Sequence, residues 1–562
     1  MLGKRPPQPQ LFDVGNVYDL TLPNGSFHAQ LAKAAPRLFA DADFERLYST
    51  TRGRPSVAPS LLALTLLLQQ QAGVSDQEAI ERTAYDLRWN AVLGRMAGTP
   101  LCAKSTLQLF RAHLILHEQA RQIFVKSLQE AQQAGLLKKS LRLALDTKPI
   151  LGRGAVQDTF NLLATGIRQL ARALARQNGQ RLDTFLREAG LSRYTTKSLK
   201  GSADLDWADP QEKDAFLTQI VAEAGHLLVF AVGADQKVRT AAQLLEALLL
   251  QDIAQTAHPD GSATVTVKNG TAPSRIPSAT DPDVRHGRKS ASKTFTGHKA
   301  SVACDIDSQI IVAVEVLSGD APDNTDALAL VQQAQGNADL PVSEALGDCA
   351  YGDGATRHSF AEAQVLLHAK VPKEVELQGR FPKSAFHIDL NASTVTCPAG
   401  HTLHNGVPVP SRGLQFRFGR LCRDCPLRER CSPARNGRTL TLHPQEGLLQ
   451  AARAYQQSPE GKAHLRQRVA VEHALARLSG LGIGQARYLG RVKTNFQLLM
   501  AATLANLRRT WNWQAQVLQR TAAAVIPGRI ASIWWLLAAL PVPSLRRSIL
   551  RACELHQVAG VG

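Results

Sequence analysis

Apolar positions up to about Leu137 recur at helical spacing, so this stretch reads as a set of helices. Ser75-Asp-Gln-Glu78 and Ser105-Thr-Leu-Gln108 have the form of capping boxes, each opening an apolar-periodic run. Pro59 suits the first turn of the Leu61–Leu68 helix, and Gly135 is a natural stop. The period then drops to two: Leu141-Arg-Leu-Ala-Leu-Asp146 predicts a short strand closing on an aspartate. A second helical region runs from about Thr159 to Thr256, with Asp209-Pro-Gln-Glu212 as a helix start. From His258 to Lys293 the chain is a Pro/Gly/Ser/Thr-rich connector that turns basic at Arg285-His-Gly-Arg-Lys289. The runs His298–Cys304 and Ile310–Val316, joined by Asp305-Ile-Asp-Ser-Gln309, predict a hairpin. A helix pattern near Asn324 leads to Ser343-Glu-Ala-Leu-Gly-Asp348, a further strand-like run closing on an aspartate.

Near the C-terminal end, Val471, Leu475 and Leu478 give a helix with one buried stripe. Glu472 lies about 100° round from Val471, on the border of that stripe, where a carboxylate can have an apolar floor and face a neighbouring sheet. Arg468 sits one turn earlier; the plain alternative is a surface i,i+4 ion pair, in the weaker base-before-acid order. Two strands and a helix thus each offer an acid: Asp146, Asp348 and Glu472. A two-metal phosphodiester site needs several oxygen ligands around two ions while positions stay open for the phosphate. Taken singly, Asp146 is equally a strand-end turn residue and Asp348 a turn cap before Tyr351. The conjunction carries more than any member.

At 562 residues the chain suits roughly three or four domains. Its 65 Lys and Arg against 47 Asp and Glu leave a net charge of +18 spread along the sequence. That favours nucleic acid over an anionic membrane surface. The start, MLGKRPPQPQ, is no secretory signal. The apolar runs at Leu61–Leu68 and Ile530–Leu540 fall short of the roughly 20 residues that span a bilayer. A cytoplasmic protein without membrane contact is expected, its eight cysteines thiols or metal ligands and not disulfides. Cys397, Cys422, Cys425 and Cys431 cluster with C-x2-C spacing at the middle pair, which suits one structural Zn²⁺, with His401 and His404 as alternative fourth ligands. Reduced structural thiols are an equal alternative. Arg412, Arg417, Arg420, Arg423, Arg428 and Arg430 around them favour a surface facing nucleic acid.

A group of motifs goes further: Gly53-Arg-Pro-Ser56, Gly73-Val-Ser-Asp-Gln-Glu78, Ser105 to Arg111, Leu145-Asp146-Thr147 and Gly152 to Asp158. To these are added Arg285 to Ser290, Phe295-Thr-Gly-His-Lys299, Asn324 after Ala321-Pro-Asp, Gly347-Asp-Cys-Ala-Tyr-Gly352, Arg468 to Glu472 and Asn506-Leu507. In these the chain resembles a bacterial insertion-sequence transposase of the Asp-Asp-Glu type, related to the IS-four/IS-five superfamily, in the branch with a helical N-terminal region and a cysteine-rich insertion. The resemblance covers roughly Tyr48 to Arg509. It implies an α/β chain with an RNase H-like core, Asp146 on its first strand, Asp348 after its fourth and Glu472 on the following helix. Two Mg²⁺ ions held by these acids, with Mn²⁺ able to substitute, would serve cleavage of double-stranded DNA at terminal inverted repeats and strand transfer into target DNA. A homo-oligomer on DNA is implied too. Arg285, Arg288, Lys289, Lys299, Arg468, Arg487 and Lys493 are the DNA-contact candidates. Leu465, Ser479 and His298 stand where related transposases often carry tyrosine, lysine and tyrosine.

The expected organisation is a helical DNA-binding and assembly domain over 1–137 and RNase H-like core segments at 138–156, 285–395 and 451–510. A helical insertion with the basic connector occupies 157–284, a cysteine-rich insertion 396–450 and a helical tail 511–562. A recombination or repair nuclease on the same core, and an inactive zinc-containing DNA-binding protein, are the alternatives.

Overall fold

The computed structural model describes residues 1–5, 22–23, 25–49, 53–257, 263–290, 292–372, 379–410 and 412–538, with side chains up to 520. The alternation at Leu141–Leu145 opens strand β1, which runs over Leu141–Leu151. The expectation that it closes at Asp146 is corrected. Antiparallel pairing continues from Leu143↔Asp305 to Leu151↔Gly297, so the ladder carries the strand through the polar Thr147-Lys148 stretch after the alternation is lost. Arg285–Ser290, expected as connector, is strand β2. The predicted hairpin is β3 (Lys293–Asp305) and β4 (Ile311–Ser318), turned at Gln309 with φ +59°. β5 (Val342–Gly347) and β6 (Leu366–Ala369) complete the sheet.

β3 lies between β1 and β4 and is antiparallel to both, while β2 takes the outer residues of β3. β5 joins β1 in parallel and β6 joins β5 in parallel. The central order is therefore β4-β3-β1-β5-β6. Because side chains alternate along a strand, Arg142, Ala144, Asp146 and Lys148 share one face of β1. Register with β5 sets Arg142 opposite Glu344 and Ala144 opposite Leu346.

In the N-terminal region helix α1 (Pro59–Ala72) is buried almost all round, with Pro59 at its start as expected. Ser75 caps α2 (Asp76–Tyr85), accepting from the Glu78 N–H at 3.1 Å. The second expected capping box is absent. α3 (Lys104–Leu116) begins one residue before Ser105, with Ala103 at the cap, so the serine sits inside the first turn. α4 (Ala120–Gln133) ends before Gly135, whose φ is +75°.

α5 (Ala327–Ala338) packs on β3, β4 and β5. α6 (Val469–Gly480) covers the Asp146 face. α7 (Arg491–Ala538) packs along β4 and α4, and its Asn506 side chain bonds both the N–H and the carbonyl of Ile311. One continuous apolar core takes in the N-terminal helices, the sheet, α6 and α7. The insertion after β1 has a core of its own, from Phe160 to Ala279, and includes the hairpin Ile253–Ala257/Ala263–Val267. The cysteine segment is two small three-stranded sheets around Phe386, Val395, Phe416, Phe418, Leu440 and Leu442, so its fold begins before residue 396. Among the described residues no helix is long and apolar enough to cross a membrane. The expected packing role of Trp534–Leu540 falls outside the described side chains.

Candidate active site

Three different elements deliver the three acids. Asp146 lies in the middle of β1 and is only part-buried. Asp348 is the first residue past β5 and caps the short turn Cys349–Tyr351, accepting from the Ala350 N–H at 2.8 Å. That turn is tight. A Cβ on Gly347 would stand 2.7 Å from the Tyr351 side chain, and one on Gly352 would stand 1.9 Å from the Lys370 carbonyl oxygen. Both glycines of the Gly347–Gly352 motif are thereby accounted for. Asn324, from the preceding motif, donates to Asp353 at 2.8 Å and to Thr356 at 2.9 Å, which holds the helix after this turn. Glu472 is exposed in the first turn of α6, while Val471 and Leu478 are fully buried and Leu475 partly so, as the stripe requires.

Arg468 ties these pieces together. Its Nη1 donates to Asp146 Oδ2 at 3.0 Å and its Nη2 to Glu472 Oε1 at 2.7 Å. The i,i+4 pair exists, but the same guanidinium also reaches the sheet. One cation is thus shared by two of the three carboxylates. Burial raises the Asp146 carboxyl above its ordinary range; the Asp348 charge adds to this, against the Thr147 N–H and Arg468. Tyr351 is buried beside the same acids, and its hydroxyl is pushed up by burial and then by the charges of Asp146, Asp323 and Asp348. A cleft of about 500 Å³ opens between Asp348 and Glu472, with exposed Lys370, Lys462 and Arg466 on its wall.

The remaining basic residues divide by environment. Arg288, Lys289 and Lys493 are exposed. Arg285 donates to the Val284 carbonyl at 2.7 Å, and Arg487 donates to the Val74 carbonyl. Lys299 is 7% exposed, its ammonium 2.7 Å from Asp323 and 2.7 Å from the Ala321 carbonyl, so its charge is spent inside the protein. Lys148, which the sequence pattern did not single out, donates to the Ser479 hydroxyl. The available signal was its spacing of two from Asp146, which puts both on one face. An ammonium thus reaches the position where Ser479 replaces the usual lysine. His298 is fully buried and neither ring nitrogen has a hydrogen-bond partner; burial lowers its pKa.

The four clustered cysteines surround a cavity of about 20 Å³ that His401 also touches; His404 does not line it. The Arg438 N–H donates to Cys422 Sγ at 3.4 Å. Burial raises the Cys431 thiol, and the other three thiols raise it further against Arg438. Among the described residues a set of three donors mutually within 4.8 Å occurs at Glu344, His368 and His464, and not at these cysteines. Sequence reasoning missed that trio, because its members come from two strands and a helix with no local spacing to betray them.

Residues 396–511 match a family model described as "Transposase DDE domain", and residues 16–113 match one described as "Transposase domain (DUF772)". The first match includes Arg468 and Glu472; Asp146 and Asp348 lie outside both. No curated protein and no solved structure matches the chain.

Proposed function

The chain is a DNA transposase of the Asp-Asp-Glu type, and from that premise we propose that Asp146, Asp348 and Glu472 are its catalytic acids. The observation that carries this is that Asp348 from a strand end and Glu472 from a helix line one cleft, and that Arg468, on the same wall, bridges Glu472 to Asp146 in the strand middle. The strand order β4-β3-β1-β5-β6, antiparallel then parallel, supports an RNase H-like core.

Transposase domains of this type generally use divalent metal ions. Three carboxylates with no nitrogen or sulfur donor among them fit hard cations, so Mg²⁺, with Mn²⁺ as substitute, is the proposed cofactor and would be held by Asp146, Asp348 and Glu472. When bound, such ions activate an attacking oxygen and stabilise a leaving one. The chain's own residues do the rest. Arg468 orients Glu472 toward the sheet, the capped turn fixes Asp348, and Lys370, Lys462 and Arg466 offer charge to a phosphate backbone entering the cleft. Arg288, Lys289 and Lys493 extend that grip, on the terminal inverted repeats and on target DNA, within a homo-oligomer. A structural Zn²⁺ at Cys397, Cys422, Cys425 and Cys431 is the second proposed metal, supported by the shared cavity and by the N–H bond to Cys422.

The test is a strand-transfer assay of the purified protein with Mg²⁺ on its own element's ends. Joined products are expected. Cutting without joining would favour the nuclease alternative, and binding without cutting an inactive DNA-binding protein.

A further inference from the structure

Three donor atoms meet on the same sheet face, toward the end away from Asp348. Glu344 stands on β5 four residues before Asp348, and His368 stands on β6. His464 lies in the helix Pro459–Arg466, four residues before Arg468. Glu344 Oε2 is 3.4 Å from His368 Nε2 and 3.2 Å from His464 Nε2. Glu344 is buried and both histidines are half-buried.

Around the trio sit groups that fix its orientation. Arg142 Nε donates to the other carboxylate oxygen, Oε1, at 2.6 Å. The Tyr455 hydroxyl lies 2.6 Å from His464 Nδ1, which turns Nε2 toward the carboxylate. Such outer partners are what a ligating histidine and carboxylate require. Without an ion the imidazole Nε2–H groups can donate to Glu344; with that tautomer reversed, the two Nε2 lone pairs and the carboxylate oxygen face one point and suit a shared cation. The three donor atoms lie within 4.8 Å of one another, so a single divalent ion can bridge all three. Separations of 3.2 and 3.4 Å also match the roughly 3.3 Å edge of a tetrahedron whose metal–ligand bonds are about 2.0–2.1 Å.

We infer that Glu344, His368 and His464 form a further metal site, for a borderline transition ion of the Zn²⁺ class, separate from the catalytic carboxylates and from the cysteine segment. Two nitrogen donors select against Mg²⁺. Four residues of strand set Glu344 roughly 13 Å from Asp348, too far to share an ion. The ion would staple the helix leading to Arg468 and Glu472 onto the strand that ends at Asp348. Arg142 Nη2 stands 3.3 Å from His464 Nε2, and also 2.7 Å from Gln467 Oε1, a partner it keeps when a metal takes the imidazole lone pair.

The probe is Co²⁺, titrated into the full-length protein after chelator treatment and followed by absorption. The result expected is one Co²⁺ per chain beyond any held by the cysteine segment, with a tetrahedral visible band that carries no thiolate charge transfer of its own, displaced by Zn²⁺ and insensitive to excess Mg²⁺. That ion should be lost in His368→Gln and in His464→Gln and kept in Asp348→Asn, with any thiolate signal from the cysteine segment unchanged. X-ray absorption on the unmutated Zn²⁺ protein keeps the test independent of how the variants fold, since it must contain imidazole scattering besides any sulfur. Folded histidine variants with unaltered metal content, or an unmutated protein whose zinc has sulfur neighbours alone or which binds none, would overturn the site.

Discussion

One face of the central sheet carries two acid-and-arginine clusters built from the same strands. At the open end Arg468 comes from the helix side and bridges Asp146 and Glu472. At the closed end Arg142 comes from β1 and bridges Glu344 and Asp307. At the open end burial wins over pairing, and the Asp146 carboxyl is raised above its ordinary range. At the closed end burial also pushes the Glu344 carboxyl up, but hydrogen bonds from Arg142 and His464 outweigh it and hold the group low. The comparison teaches that similar parts give opposite balances: pairing outweighs burial at the closed cluster and burial outweighs pairing at the open one, which is the balance the proposed catalytic metal would relieve. The closed end offers nitrogen as well as oxygen, and the open end oxygen alone, which sorts the ions each suits.

The largest expected effect lies at the open end. Asp146→Asn should reduce DNA cleavage by orders of magnitude, yet leave stability at neutral pH within about 0.5 kcal/mol of the unmutated protein or above it. The sign follows from the raised folded pKa. The Asp146 contribution to stability is fully present below the ordinary value of 3.8 and is lost as pH rises through the raised one. Cleavage assays and urea melts on one preparation check both halves, and a marked loss of stability would erase the contrast.

Next comes the closed end. Glu344→Gln removes a buried carboxylate from Arg142 and should cost about 2 kcal/mol, below the 3–5 typical of a fully buried pair because Arg142 still reaches solvent. Here the folded pKa is depressed, so the stabilisation is present above the ordinary 4.5 and is lost as pH falls through the depressed value. Melting midpoints of the metal-free protein across acid pH should therefore fall less steeply in the variant. An unchanged slope would mean that the cluster is not what stabilises this end.

The smallest effect concerns DNA outside both clusters. Arg288→Ala with Lys289→Ala should flatten the log–log salt slope of binding by nearly two units, about 0.9 for each phosphate that is no longer neutralised, and leave the preference for element ends nearly unchanged. Salt titrations on element ends and on random duplex measure it. A changed preference would mean that these residues read sequence.

Sequence made the three candidate acids legible because each sits where a local pattern ends or crosses: a period-two run before Asp146, a strand-like run before Asp348, and a helical stripe beside Glu472. It put the end of β1 too early, because strand pairing with β3 outlasts the alternation that announces it. Strand β2 hid inside a basic connector, since its residues read as polar while its ladder partner supplies the order. The N-terminal helices read as a separate domain, whereas Arg111 on α3 pairs with Asp76 at 2.5 Å and packs over the Tyr488 ring, and Arg487 reaches back to Val74. These contacts between motifs far apart in sequence have no local signature. They also mean that removing residues 1–137 would strip the shared core, in contrast to the insertion after β1, whose core is its own.

The account stands most directly on Asp348, whose place past β5 is fixed by the turn and not by the charge it would lend to a metal. The measurement is cleavage and binding of the element's own ends by Asp348→Asn, side by side with the unmutated protein in Mg²⁺. The account predicts binding within a few-fold of normal, as for a neutral change at one residue, and cleavage lower by orders of magnitude. A variant that binds and cuts as well as the unmutated protein would contradict it.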